Sequence, residues 1–134
     1  MHKVLILFND RQLAKRAGEY LKIKGYDTDI HTDPQQAILA ADTNLFDIAV
    51  VDINLAGRSG IEFLYELRSY REWQEIPVIA VGLARLGEIQ DFLPSLGQLN
   101  VAQYLPLALT PLPRLEAKIS RLLQPVPSLE HETV

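Results

Sequence analysis

The chain has 134 residues, 48% of them apolar and 22% charged, which suits one domain with a packed core and not a disordered segment. Its formal charge is −4, with basic residues scattered apart from Lys15, Arg16, Lys22 and Lys24; that cluster reads as a solvated helix face, so neither nucleic acid nor an anionic membrane is an expected partner. The absence of cysteine excludes a disulfide framework, a thiol nucleophile and a thiolate metal site.

Val4-Leu5-Ile6-Leu7-Phe8 opens the pattern. It is too short to span a membrane and has no signal-peptide cleavage pattern, so it predicts a buried strand of a cytoplasmic protein. Leu13, Ala17, Tyr20 and Leu21 then recur at helical spacing, with Gly25 as a plausible stop. Tyr26–His31 alternates apolar and polar residues, as a strand at a sheet edge does. Asp33-Pro34-Gln35-Gln36 reads as an N-cap, a first-turn proline and a capping-box partner for a helix through Ala37, Ile38 and Ala41.

Ile48–Val51 and Ile76–Val81 are short β-branched runs, apolar on both faces, that suit parallel strands covered by helices. Between them Ile61, Leu64 and Leu67 mark a third helix that ends before Pro77. The stretch Leu83–Asn100 is interrupted by Pro94 and weakened by Gly87 and Gly97. It predicts a short or broken helix with Ile89, Phe92, Leu93 and Leu96 as its apolar content. Val101–Leu105 reads as a fifth strand, and Leu115, Ile119, Leu122 and Leu123 as the last helix. Residues 1–123 therefore form one domain, and the proline-rich, polar stretch 124–134 reads as a tail or linker.

Five-fold β-α alternation predicts an α/β fold, a three-layer (βα)5 doubly wound parallel sheet. In such sheets the working site lies beyond the carboxyl ends of the strands. The residues there are Phe8-Asn9-Asp10, Asp52 onward, Gly82, and Pro106–Leu109.

The segment Asp52-Ile53-Asn54-Leu55-Ala56-Gly57-Arg58-Ser59-Gly60 resembles the phosphoacceptor loop of response-regulator receiver domains, Asp-x-x-Met/Leu-Pro-x-x-Asp/Ser-Gly, with Ala56 in place of the proline. Phe46-Asp47, the capped second helix and Ile76–Val81 fit the same family, and the resemblance covers residues 3–123. It implies a flavodoxin-like (CheY-like) fold with strand order 2-1-3-4-5. It also implies phosphoryl transfer to Asp52 assisted by Mg²⁺, which needs clustered carboxylates and preplaced donors.

Most of that apparatus is replaced. Matched without gaps from Lys3 through Gly25, the family's adjacent acid pair falls on Phe8 and Asn9, and Asp10 stands next to them. Asp10 is either a water-mediated ligand or simply a helix N-terminal charge. The remaining metal set, Asn9, Asp52 and the Asn54 carbonyl, holds one carboxylate, so Mg²⁺ is expected to bind weakly or not at all. The family's hydroxyl residue after the fourth strand is Gly82, its lysine after the fifth is Leu107, and the following proline is Ala108. Arg58 and Arg85 are substitute cations or merely solvated. Tyr104 matches the switch aromatic, or is a strand aromatic with no switch; Asp52 is a phosphoacceptor, or a relic of one.

The resemblance, with these losses, implies an atypical receiver (a pseudoreceiver) of bacterial two-component signalling. It would be no enzyme, need no cofactor and act through protein–protein contact. The alternative is a working receiver phosphorylated on Asp52 in a phosphorelay. Expected partners are a histidine kinase, an output domain or a second copy, meeting the face of the fourth helix, fifth strand and fifth helix. Tyr104, Leu105, Leu107 and Leu109 would form an apolar patch there, unless they complete the core. A flavin-binding or hydrolytic protein is disfavoured, because Phe8–Gln12 lacks phosphate-cradling glycines and His2, His31 and His131 lie apart. Glu132-Thr133-Val134 fits carboxylate capture by a PDZ domain, with chance the better explanation.

Overall fold

The five predicted strands pair in parallel because each apolar run is too short to bury itself and is followed by a helix that returns the chain. In the computed structural model, which describes residues 1–55 and 58–124 and only the backbone of Arg58, the elements alternate without exception. They are β1 (Lys3–Leu7), α1 (Arg11–Ile23), β2 (Asp27–His31), α2 (Pro34–Thr43), β3 (Ile48–Asp52), α3 (Gly60–Ser69), β4 (Val78–Gly82), α4 (Leu93–Gln98), β5 (Gln103–Pro106) and α5 (Leu112–Leu123). The sheet order is β2-β1-β3-β4-β5, all parallel, which is the doubly wound order the resemblance implies. A two-residue antiparallel ladder, Asn54–Leu55 with Arg58–Ser59, closes the loop between β3 and α3. The tail 125–134, with His131 and Glu132-Thr133-Val134, lies outside the described residues, as do Ala56, Gly57 and the Arg58 side chain.

Strand side chains point alternately to the two faces. Leu5, Leu7, Ala49, Val51 and Val78 pack with α2 and α3, where Phe46 and Trp73 stack at 4.9 Å. Val4, Ile6, Ile48, Val50, Ile79 and Val81 pack with Leu21 of α1 and Leu115 and Ile119 of α5. A third cluster, Ala80, Ile89, Leu96 and Tyr104, seats α4. Among the described residues no helix is long and apolar enough to cross a membrane.

Helix ends follow from local chemistry. Asp10 accepts from the N–H groups of Gln12 (2.9 Å) and Leu13 (3.2 Å), Asp33 from Gln35 (3.1 Å) and Ser59 from Ile61 (3.1 Å). α1 stops as Gly25 predicts: Gly25 takes φ 98°, its N–H bonds the Lys22 carbonyl, and the Tyr26 N–H bonds Leu21. Tyr26 is thereby used in the cap, so β2 starts one residue later than its alternation suggests.

The same device corrects another expectation. Asn100 takes φ 58°, its N–H bonds the Gly97 carbonyl and the Val101 N–H bonds Leu96. Val101 therefore closes α4 rather than opening β5, and β5 runs from Gln103 to Pro106. Phe92 and Leu93 are half-exposed, whereas Ile89 and Leu96 are buried. Of the four, Leu93 and Leu96 lie in the six-residue helix, while Ile89 and Phe92 precede it.

Candidate functional site

β3 lies between β1 and β4, and its last residue, Asp52, is 4% exposed. Its carboxylate is held from both sides: Oδ2 accepts the N–H of Asn9 at 3.1 Å and Oδ1 that of Asn54 at 2.8 Å. Burial raises its pKa above the ordinary carboxylate value, and these two N–H groups partly offset the rise. Gly60, which begins α3, lies against the same backbone. A Cβ there would stand 2.1 Å from the Asp52 carbonyl oxygen and 2.7 Å from Ile53 Cα, so only glycine allows the approach. The last position of the phosphoacceptor-loop pattern thus has a steric reason.

The positions singled out by the resemblance lie at the carboxyl ends of the strands. Phe8 follows β1 with its ring 1% exposed, and Leu107 begins a 3-10 turn (Leu107–Leu109) after β5. Both line one pocket of about 230 Å³, together with Arg16, Thr110 and apolar residues that include Leu13, Val81, Leu112 and Leu115; Asp52 is not among its lining residues. Thus, where the family pattern calls for an acid and a lysine, two apolar side chains share one pocket at the carboxyl end of the sheet. A larger cleft of about 640 Å³ lies beside β2, lined by Arg11, Lys15, His31 and Asp33, and includes none of the residues bonded to Asp52.

Asp10 is occupied as the N-cap of α1, the structural one of its two readings. Asn9 supplies its main-chain N–H to Asp52. Among the described residues no three His, Cys, Asp or Glu side chains are grouped as a metal site. The donor set around Asp52 is one carboxylate with amide and carbonyl oxygens, a poor fit to Mg²⁺. Arg85 is exposed, and its main-chain N–H donates to the Glu88 carboxylate at 3.2 Å.

On β5, Tyr104 is 6% exposed and points to the α4 side, where its hydroxyl donates to the Ala84 carbonyl at 2.7 Å. Leu105 points to the opposite face and is buried with α1 and α5. The apolar patch expected of Tyr104, Leu105, Leu107 and Leu109 is therefore narrower than the sequence suggests. Two of the four are core, Leu107 is partly buried, and Leu109 alone is well exposed, at 61%. The cause is that α4 and α5 cover both faces of β5, leaving little of this edge strand to solvent.

One contact lay beyond sequence reasoning. Asn54 was expected to matter through its main-chain carbonyl, yet its side-chain Oδ1 accepts the N–H of Leu83 at 2.9 Å. The only hint in the sequence is a polar residue two positions after a buried acid.

The family profile "Response regulator receiver domain" matches residues 4–105. The chain is 30% identical over 106 residues to the transcriptional regulatory protein CpxR of Klebsiella pneumoniae subsp. pneumoniae (strain HS11286), covering 79% of this chain and 43% of that protein. It is 32% identical over 78 residues to the probable transcriptional regulator ycf29 of Porphyra purpurea, covering 58% of this chain and 37% of that one. The chain thus spans less than half the length of these curated relatives. Among solved structures, chemotaxis protein CheY4 of Vibrio cholerae superposes with a TM-score of 0.82 at 20% identity, over 92% of this chain and 99% of that one. A two-component response regulator from Clostridium difficile also gives 0.82 at 20% identity, over 96% and 100%. At such identities the superpositions speak for the fold alone. The profile match spans β3 and the loop after it, and with it the chain belongs to the response regulator receiver domain family.

Proposed function

We propose that this chain is an atypical receiver, a pseudoreceiver, that works through protein–protein contact with its phosphorylation chemistry impaired. The observation that carries the reading is that apolar Phe8 and Leu107 stand together at the carboxyl end of the sheet, in a pocket whose one cationic lining residue, Arg16, comes from α1. Transfer of a phosphoryl group gathers negative charge on its oxygens, and catalysis consists largely of countering that charge with a cation and fixed donors. A phenyl ring and an isobutyl group offer neither. Gly82 offers no hydroxyl, and Asp52 stands as the one carboxylate of the set.

The test is intact-mass spectrometry after incubation with Mg²⁺ and acetyl phosphate, with Asp52→Asn as control. The expected result is no persistent phosphoryl adduct on either chain. A near-stoichiometric adduct that Asp52→Asn abolishes overturns the proposal. Calorimetric titration with Mg²⁺ is the companion measurement: no saturable binding is expected through the millimolar range, and sub-millimolar affinity overturns the expectation.

A second reading, phosphorylation on Asp52 within a phosphorelay, has one observation in its favour. The acceptor carboxylate is present at the end of β3, held by two N–H donors. Under either reading the partner is a protein, of the histidine-kinase or output-domain kind or a second copy of this chain. The exposed apolar groups at the start of α4, Phe92 and Leu93, and of the turn after β5, Leu109, supply the contact.

A further inference from the structure

The pocket that Phe8 and Leu107 share is built from several elements, and its lining includes neither Asp52 nor Asn9 and Asn54, whose N–H groups hold that acid. Phe8, Val81 and Leu115 are buried and form its floor; Leu13, Leu107 and Leu112, all partly buried, form its walls. Its polar groups are few. Thr110 gives its hydroxyl to the Pro106 carbonyl at 2.6 Å, and Pro111 has no N–H to offer. Arg16, exposed on α1, is the one charged residue of the lining, and among the described residues no hydrogen bond or ion pair engages its guanidinium.

Mostly apolar walls around about 230 Å³ of open space run against the close packing of protein interiors, because a void forfeits the contacts its lining atoms would make. Water gains little in such a space: it needs two to four polar partners, and most of this lining offers none. An apolar body does better, since a cavity of about 150 Å³ lined by such residues already takes up benzene. The charge at the mouth then selects what that body carries. An unpaired guanidinium presents a planar fork of N–H donors that fits both oxygens of a carboxylate. One cation with no other free donor suits one negative charge; a phosphate dianion would hold its second charge unbalanced against apolar walls.

We propose that this pocket binds a small apolar carboxylate, its hydrocarbon part against Phe8, Leu107 and Leu112 and its carboxylate on Arg16. Such a ligand ties α1 to α5 and to the turn Leu107–Leu109. Leu109 is the exposed apolar group of that turn, so occupancy bears on partner contact. That consequence rests on the reading of the chain as an interaction module; binding itself does not.

The experiment follows methyl and backbone-amide resonances of the full chain during titration with benzoate, with its uncharged isostere benzamide and with acetate, all without a phosphodonor. Benzoate should give saturable shifts at Phe8, Leu107, Leu112 and Leu115. Benzamide should bind roughly tenfold more weakly, and acetate, which lacks the apolar body, should not saturate. Arg16→Gln, at an exposed position, should lower benzoate affinity to that of benzamide and leave benzamide where it was. Lys15→Gln, on the neighbouring residue that lines the larger cleft instead, should change neither. The proposal is overturned if benzoate gives no saturable shifts through the millimolar range, or if benzoate and benzamide bind equally. Equal losses in Arg16→Gln and Lys15→Gln, the mark of diffuse surface charge, overturn it too. So do shifts of the same residues with protein concentration alone, which would place a second copy in the pocket. A phosphoryl adduct on Asp52 with benzoate binding intact would refute the impaired chemistry and support the pocket; no adduct and no binding would do the reverse.

Discussion

At Asp52 burial and hydrogen bonding pull in opposite directions, and burial is the larger. The sign of the consequence follows. Because the folded state binds this proton more tightly than the unfolded chain, the group favours folding below the ordinary carboxylate value of ~3.9 and loses that contribution as pH rises through its raised value. Titration followed at the side-chain carboxyl carbon should give a midpoint above that of an exposed aspartate; a midpoint at or below it would mean that the Asn9 and Asn54 N–H groups outweigh burial. The departures expected at Phe8, Asn9, Gly82 and Leu107 are sequence readings, because each is a matter of which residue stands at a fixed distance from the strands. The Asn54 side chain is not, since an amide beside a buried acid has many orientations and only the neighbouring strand end selects one.

At the scale of the element, α4 shows how much a boundary depends on non-local partners. Pro94 and the two glycines announce a weak helix, and a helix of six residues results. Its end is set by Asn100 in the left-handed region and, from outside, by Arg68 of α3. The Arg68 guanidinium donates to the carbonyls of Leu99 (2.9 Å) and Asn100 (3.2 Å), and also to that of Trp73. These bonds satisfy carbonyls that a helix end leaves unpaired. Asn100→Ala should cost about 1 kcal/mol, because a Cβ-bearing residue without a polar side chain gains nothing in that conformation. Asn100→Gly should be neutral or stabilising. Thermal unfolding of the pair checks this, and equal losses in both would place the importance in the Asn100 side chain instead.

For the whole molecule, the edge formed by β5 matters most to association. Apolar residues at an edge invite pairing, but Tyr104 and Leu105 are spent on the two cores and Pro106 has no N–H to offer. Leu109 and Leu107 now separate surface from core. Leu109→Lys should leave stability unchanged and weaken self-association or partner capture, read by sedimentation velocity and pull-down. Leu107→Lys should lower stability by about 1–3 kcal/mol, as expected when a side chain packed against apolar neighbours is replaced by a charge. A destabilised Leu109→Lys, or one that associates as the unmodified chain does, would move the contact surface elsewhere.

Alternation of apolar runs with helical spacing, read along the chain, determined the three-layer sheet, and the pattern of the loop that begins at Asp52 determined the family. These signals are local: a strand needs a handful of consecutive residues, and a motif needs its spacing. Tertiary structure alone decided that Tyr104 and Leu105 face inward and that Val101 closes a helix. It alone decided that Phe8 and Leu107 share a pocket with Arg16, and that the Asn54 side chain meets Leu83. Each of those outcomes depends on which elements stand side by side, and burial at a sheet edge is set by the helices that cover it rather than by the strand's own residues.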